Sequence, residues 1–247
     1  KKYPEASNAI NDEGILSCIE LLNGKGLDRV VFVSTCSNYG LISTDELADE
    51  THSLSPLSLY SKSKVAAEQH LLAGQGLVDY TPTILRFATA FGLAPRMRFD
   101  LTVNEFTREL AMGMELLVFD ANTWRPYCHV KDFGRLIQLV IEAPHSKIAF
   151  EVYNAGGDIN NFTKQGVVDT ILTLLPNAKV RYQEHGSDPR NYRVNFGKVR
   201  ETLGFEPKYT VHYGVTELLN AINEHVFDHA DVMHNFHGNY EINYPLL

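Results

Sequence analysis

Val30-Val-Phe-Val-Ser-Thr-Cys-Ser-Asn-Tyr-Gly40 sets four consecutive apolar residues against an abrupt run of small polar ones. An apolar run without alternation predicts a strand over Val30–Val33 that is buried on both faces, as in a parallel sheet. Sites in open parallel sheets form beyond the carboxyl ends of the strands, so Ser34, Thr35, Cys36 and Ser37 are delivered to such an edge. Twenty-five residues past Thr35 comes Tyr60-Ser-Lys-Ser-Lys64. A tyrosine and a lysine four apart on a helix share one face, with β-carbons about 5–6 Å apart. An ammonium beside a phenol favours the phenolate, which predicts a Tyr60 pKa drawn below the usual value of about 10. A phenol so tuned can take a proton from an alcohol while a cofactor takes the hydride. Taken singly, Thr35 and Ser37 read as turn caps.

Outward from this stretch, periodicity predicts a helix over Asn8–Asn23 closed by Gly24 and Gly26, a helix over Ser58–Ala73, and one strand over Thr81–Phe91. Further helices are expected over Val103–Met112, Val130–Glu142, Thr163–Leu175, Phe196–Leu203 and Val211–His225. Strands are expected over Leu116–Phe119, Phe150–Asn154 and Lys179–Gln183. Strands alternating with helices of 10–15 residues imply an α/β fold with a parallel sheet.

The 247 residues, 44% hydrophobic and 21% charged, suffice for one large domain or two small ones. A net charge of −8 without a basic run argues against a nucleic-acid partner. No apolar run reaches the roughly 18 residues needed to span a bilayer. Cys18, Cys36 and Cys128 have unrelated spacings, which fits a reduced, cytoplasmic protein better than a disulfide framework. His225 and His229 have the spacing of a zinc-ligand pair. With His234, His237, Asp228 and Asp231 around them and no apolar frame, a solvated C-terminal extension is the favoured reading and no metal is expected.

In order along the chain, six landmarks resemble the extended short-chain dehydrogenase/reductase superfamily, in its branch of nucleotide-sugar epimerases and dehydratases. They are Asn11-Asp-Glu-Gly14, Val33–Gly40, Ser55–Lys64, Leu85-Arg-Phe-Ala-Thr-Ala-Phe-Gly92, Trp124–Asp132, and Asp188–Asn195 leading into Leu203-Gly-Phe205. The resemblance implies a Rossmann-like sheet, incomplete at its N-terminal part, over residues 1–92 and about 130–160. A smaller substrate lobe would take about 93–129 and 161–247. It implies Tyr60 as catalytic base, Lys64 on the nicotinamide ribose, and Thr35 on the reacting sugar hydroxyl. Asn11, Ser34, Phe87 and Ala88 would also bind cofactor. Ser37, Thr89, Arg96, Arg125 and Arg190 would meet the nucleotide sugar, with Arg125 the leading phosphate ligand and Arg96, Arg98 and Arg190 weaker candidates. A guanidinium suits that task because its donors match phosphate oxygens in pairs. A homodimer pairing through about Asn8–Asn23 and Ser58–Ala73 is implied as well.

Two departures narrow the chemistry. The dehydratases of the family carry an Asp-Glu pair after the active-site threonine, where this chain has Cys36 and Ser37. Hydride transfer with one phenol remains, which leaves NAD-dependent epimerisation as the leading reading. An NAD(P)-dependent dehydrogenase or 4-ketoreductase, or a non-catalytic nucleotide-sugar-binding relative, stays open beside it. Cys36 is expected to be a packing residue. The second departure is the glycine loop G-x-x-G-x-x-G that receives the cofactor pyrophosphate, which these residues do not contain. The chain also opens at Lys1-Lys-Tyr-Pro4 without a methionine. The expectation is therefore a chain that starts inside the fold, binds dinucleotide poorly and leaves a sheet edge unpaired. The choice between NAD and NADP is set about 20 residues past that loop, so it stays open.

Overall fold

The computed structural model describes residues 4–43, 45–186, 188, 190–228 and 237–238. Helix α1 (Pro4–Asn8) passes through a π-helical segment (Ala9–Glu13) into α2 (Gly14–Glu20). The helix expected over Asn8–Asn23 thus contains a widened turn, and Asn11 sits in it. Gly24 and Gly26 follow at φ +72° and +67°, the left-handed geometry that ends helices. Strand β1 (Arg29–Thr35) runs into a 3₁₀ turn (Cys36–Tyr39), and an irregular stretch leads to α3 (Leu59–Ala73). A reciprocal cap fixes the start of α3. Ser61 N donates to Ser58 Oγ and Ser58 N to Ser61 Oγ, each at 3.1 Å, which places Tyr60 in the first turn.

After β2 (Thr81–Phe87) and β3 (Thr89–Phe91) come α4 (Thr102–Ala111), β4 (Leu116–Phe119), β5 (Trp124–His129), α5 (Val130–Glu142) and α6 (His145–Ile148). Then follow β6 (Glu151–Ala155), β7 (Asn161–Thr163), α7 (Lys164–Leu172), β8 (Val180–Gln183), α8 (Gly197–Leu203) and α9 (Val211–Asn223).

The first sheet has the order β1-β2-β6, all parallel, as the alternating pattern implied. Residues of β2 alternate between two layers. Ile84 packs with Ile19, Ala67 and Leu71 beneath α2 and α3, whereas Leu85 and Phe87 pack with Leu136, Val140 and Val199 beneath α5 and α8. β1 lies at a sheet edge, as expected, but departs from the expected burial. Among the described strands it pairs only with β2, and Val33 is 41% exposed. The run is therefore not buried on both faces: an edge position leaves one side of it uncovered.

The strand expected over Thr81–Phe91 is two strands. At Ala88 the chain leaves the first sheet, with Ala88 N donating to Ala155 O at 3.0 Å, and β3 enters a second sheet of order β3-β5-β7. β5 and β7, over which no strand is expected from periodicity, pair antiparallel, with Trp124 opposite Thr163. β4 pairs parallel with β8. Helices α4, α7 and α9 bury Val103, Phe106, Val167, Ile171 and Val215 against these strands.

His225 is exposed and bonds Asp228 rather than a second histidine, and His237 packs on Phe99 and Phe227. His229, His234, Tyr240 and Tyr244 lie outside the described residues. Among the described residues no cluster could hold a metal ion, and no helix is long and apolar enough to cross a membrane.

Candidate active site

The carboxyl ends of β1 and β2 open into a cavity of about 940 Å³. Ser34, Thr35, Ser37, Tyr60, Phe87, Ala88 and Thr89 line it, brought together from β1, α3 and the β2–β3 crossing. Arg125, Lys164, Asp188 and Arg190 line it from β5, α7 and the segment before Tyr192. Ser37 joins the two groups: its hydroxyl lies 3.3 Å from Tyr192 Oη and accepts from Arg190 Nη1 at 3.3 Å.

Tyr60 is 48% exposed at the cavity wall, which Thr35 also lines. Thr35 Oγ1 accepts from Ser37 N at 3.1 Å, so it caps the 3₁₀ turn. Partial burial raises the Tyr60 pKa above its ordinary value, against the lowering effects of the Thr35 hydrogen bond and the charge of Arg98. This corrects the expectation that Lys64 draws it down. Lys64 Nζ donates to Val33 O at 2.8 Å and lies 4.7 Å from the Phe32 ring centre but 5.8 Å from that of Tyr60. Burial also pushes the Lys64 ammonium below its usual range, with Glu68 opposing. Shared helical facing brings the pair near one another, but the amine is committed to a carbonyl.

Under this surface lies a buried polar network. Glu68, one turn past Lys64, takes the Arg86 guanidinium at 2.7 Å and Asn38 Nδ2 at 2.8 Å, and it also accepts from Ser34 Oγ. Arg86 Nη1 reaches Tyr39 Oη at 3.1 Å, and that hydroxyl donates to Asn154 Oδ1 at 2.7 Å. Cys36 is buried, and its thiol donates to Arg86 O at 2.9 Å. Burial pushes the thiol well above its ordinary range, so Cys36 is a packing residue, as expected.

The arginines converge on Asp188. Arg190 binds it through Nε (2.8 Å) and Nη2 (2.7 Å), and Arg125 Nη2 lies 3.1 Å away. Burial works against ionisation of Asp188, but the Arg190 hydrogen bonds and the charges of both arginines hold it well below the usual carboxylate range. The Arg125 side chain is only 6% exposed, and its Nη1 donates to the Trp124 and Arg190 carbonyl oxygens.

Lys64, Asn11 and Arg96 do not line the cavity. Arg96 is exposed, with Nη2 3.4 Å from Gly238 O. Arg98 does line it, bound through Nε and Nη2 to Asp100 (2.6 and 2.7 Å). Sequence reasoning gave no role to Glu68, Asp188 or Lys164. For Glu68 a signal existed, since it continues the Tyr60–Lys64 face at the next four-residue step.

The described residues fit one half of a dinucleotide. Phe87 stacks on Phe133 (centroids 3.7 Å apart, 15° between planes) and with Ala88 forms an apolar wall beside Tyr60, suited to a nicotinamide ring. The described residues contain no G-x-x-G-x-x-G loop to receive a pyrophosphate.

Residues 1–156 match the model of the NAD dependent epimerase/dehydratase family. The chain is 24% identical over 222 residues to a UDP-glucuronate 4-epimerase of Thermodesulfobacterium geofontis, with 87% of this chain and 66% of the relative covered. Among solved structures it is similar to a dTDP-glucose 4,6-dehydratase of Bacillus anthracis in complex with NAD, at 28% identity and a TM-score of 0.75, covering 87% of this chain and 68% of that one. A UDP-glucose 4-epimerase of Thermotoga maritima, solved with UDP-glucose, shares the fold at a TM-score of 0.80 and 23% identity, covering 91% and 73%. The chain thus spans about two thirds of the length of such relatives. With Thr35, Tyr60 and Lys64 carried on β1 and α3 of a parallel sheet, the chain belongs to the NAD-dependent epimerase/dehydratase family.

Proposed function

We propose that the protein is an NAD-dependent epimerase of a nucleotide-linked sugar, acting at C4. The observation that carries this reading is Thr35 and Tyr60 lining one cavity with Arg125 and Arg190, where Cys36 and Ser37, and not carboxylates, follow Thr35 in the chain. Elimination of water needs an acid–base pair there. Instead the Cys36 thiol is buried on Arg86 O and the Ser37 hydroxyl on Tyr192 and Arg190. That argument favours epimerisation although a dehydratase is among the similar structures.

In this reading NAD, when bound, supplies the power to oxidise the sugar carbon and to reduce it again. Tyr60 takes the proton of the sugar hydroxyl as the carbon becomes a ketone and returns it when the carbon is reduced from the other face. Thr35 donates a hydrogen bond to the same oxygen and stabilises the charge that develops on it. Lys64, on the same helix face and anchored by Val33 O, would turn its remaining hydrogens to the ribose of the cofactor, and Phe87 and Ala88 would keep water from the ring. Arg125 and Arg190 hold the diphosphate, which leaves the sugar free to turn between the two half-reactions. Two copies of the chain pair through the first helical segment and α3, where Ile10 and Leu21 are each 68% exposed.

The test is incubation with NAD and UDP-glucose, UDP-glucuronate or dTDP-glucose, followed by proton NMR at C4. Inversion without net NADH supports the reading. A dehydrated 4-keto product, or stoichiometric use of NADH or NADPH, overturns it.

A further inference from the structure

Of the four cations that line the cavity, Arg98, Arg125 and Arg190 each bind a carboxylate, while Lys164 makes no salt bridge among the described residues. Its position is fixed from the backbone. Thr163 pairs with Trp124 across β7 and β5, Thr163 Oγ1 accepts from Gly166 N at 3.0 Å, and Lys164 N donates to Thr123 O at 3.2 Å. Lys164 therefore opens α7 from the strand beside the one that carries Arg125. Its ammonium donates to Phe119 O at 2.7 Å, and its other two hydrogens have no acceptor among the described residues. The arginines are more committed, Arg190 to Asp188 and Arg125 to Asp188 and two carbonyls.

We propose that Lys164 binds the diphosphate of the nucleotide sugar directly, as a third cation beside Arg125 and Arg190; this rests on the nucleotide-sugar reading above. A half-buried ammonium among like charges is costly unless an anion joins it. Burial, and then the charge of Arg125, draw Lys164 below its usual range, with Asp188 and Asp120 opposing. Asp120 is taken up by His185 N and Gly186 N, both at 2.8 Å, and Asp188 by the arginines, so neither carboxylate supplies that anion. Two ionised phosphate oxygens do, and an ammonium with two free donors can bridge them.

Isothermal titration calorimetry on the full chain tests the assignment, with the diphosphates of uridine, thymidine, guanosine and cytidine, then the nucleoside of the tightest, then NAD. One charge-assisted contact corresponds to about tenfold in affinity. The expected result is a Kd for that nucleoside diphosphate raised about tenfold in K164Q and less than threefold in K164R, with the nucleoside and NAD unaffected. A K164Q Kd within twofold of the wild type overturns the role of Lys164 alone. Loss of NAD affinity with diphosphate affinity intact overturns it in favour of the cofactor pyrophosphate. No binding of any nucleoside diphosphate by the wild type overturns the substrate reading, and Lys164's role with it. Equal thermal midpoints of the three proteins separate binding from folding.

Discussion

Glu68 and Arg86 form a buried pair directly beneath the candidate site, with Nη2 2.7 Å and Nε 3.0 Å from the same carboxylate oxygen. The side chains are 1% and 6% exposed. Glu68 belongs to the helix that carries Tyr60, Arg86 to β2 just before Phe87, and Ser34, also bonded to Glu68, to β1 just before Thr35. One carboxylate thus ties together the three segments that meet at the cavity. Glu68→Ala leaves Arg86 buried without its counter-charge and strips acceptors from Ser34 and Asn38. The expected loss is about 3–5 kcal/mol in urea unfolding, the range for breaking a buried pair from one side. A loss below about 1 kcal/mol sinks this account of the pair.

Tyr60→Phe separates chemistry from architecture. The phenol is half exposed at the cavity wall, so removing its oxygen should leave the urea midpoint unchanged. If the phenol is the base, turnover should fall by about 10²–10⁴-fold while nucleotide-sugar affinity stays within a few-fold. Turnover that survives the substitution removes Tyr60 from the mechanism.

The electrostatics of Tyr60 set a pH dependence. The base is the phenolate, and burial raises its pKa, so the rate of an epimerase using it should climb with pH through the neutral and mildly alkaline range. The Thr35 hydrogen bond and Arg98 both act to lower that pKa. Thr35→Val and Arg98→Leu should each push it higher and shift the limb of the kcat profile to higher pH, while Arg98→Lys restores part of the shift. A tyrosinate titration of wild type against Tyr60→Phe in the near ultraviolet reads the same pKa without turnover. An unshifted limb in both variants argues that neither neighbour tunes the base.

Local pattern made much of this legible and partner geometry the rest. Val30–Val33 and Thr81–Phe87 read as strands because apolar β-branched runs have few other homes, yet the exposure of Val33 depends on what lies beside β1, which no run of letters reports. The switch of sheet at Ala88 is equally silent, since Thr89–Phe91 is as apolar as the strand before it. β5 escaped because Pro126 and mixed residues hide a strand whose identity comes from β3 and β7, distant in sequence. At the site, the four-residue step from Tyr60 to Lys64 is legible in the sequence, as is the place of Thr35 at the carboxyl end of an apolar run. The commitment of the Lys64 amine to Val33 O, and the approach of Lys164 to Arg125, arise from contacts across 31 residues and across two strands.

Gly92 closes β3 at φ +101°, where a side chain is strained. A β-carbon there would sit 2.1 Å from His129 Nε2 and 2.5 Å from Cδ2. That ring cannot step aside. Its side chain is fully buried, Nε2 lies 3.0 Å from Glu217 Oε2, Nδ1 accepts from Lys131 N at 3.1 Å to cap α5, and Phe91 packs edge-on at 5.1 Å. Gly92→Ala should therefore combine backbone strain with overpacking and lose about 2–4 kcal/mol. Because His129 also caps the helix following β5, the damage should spread beyond the turn and show as faster amide exchange in the first turn of α5. If Gly92→Ala costs as much in the His129→Ala background as in the wild type, the clash is not the cause and strain at φ +101° is left as the whole effect.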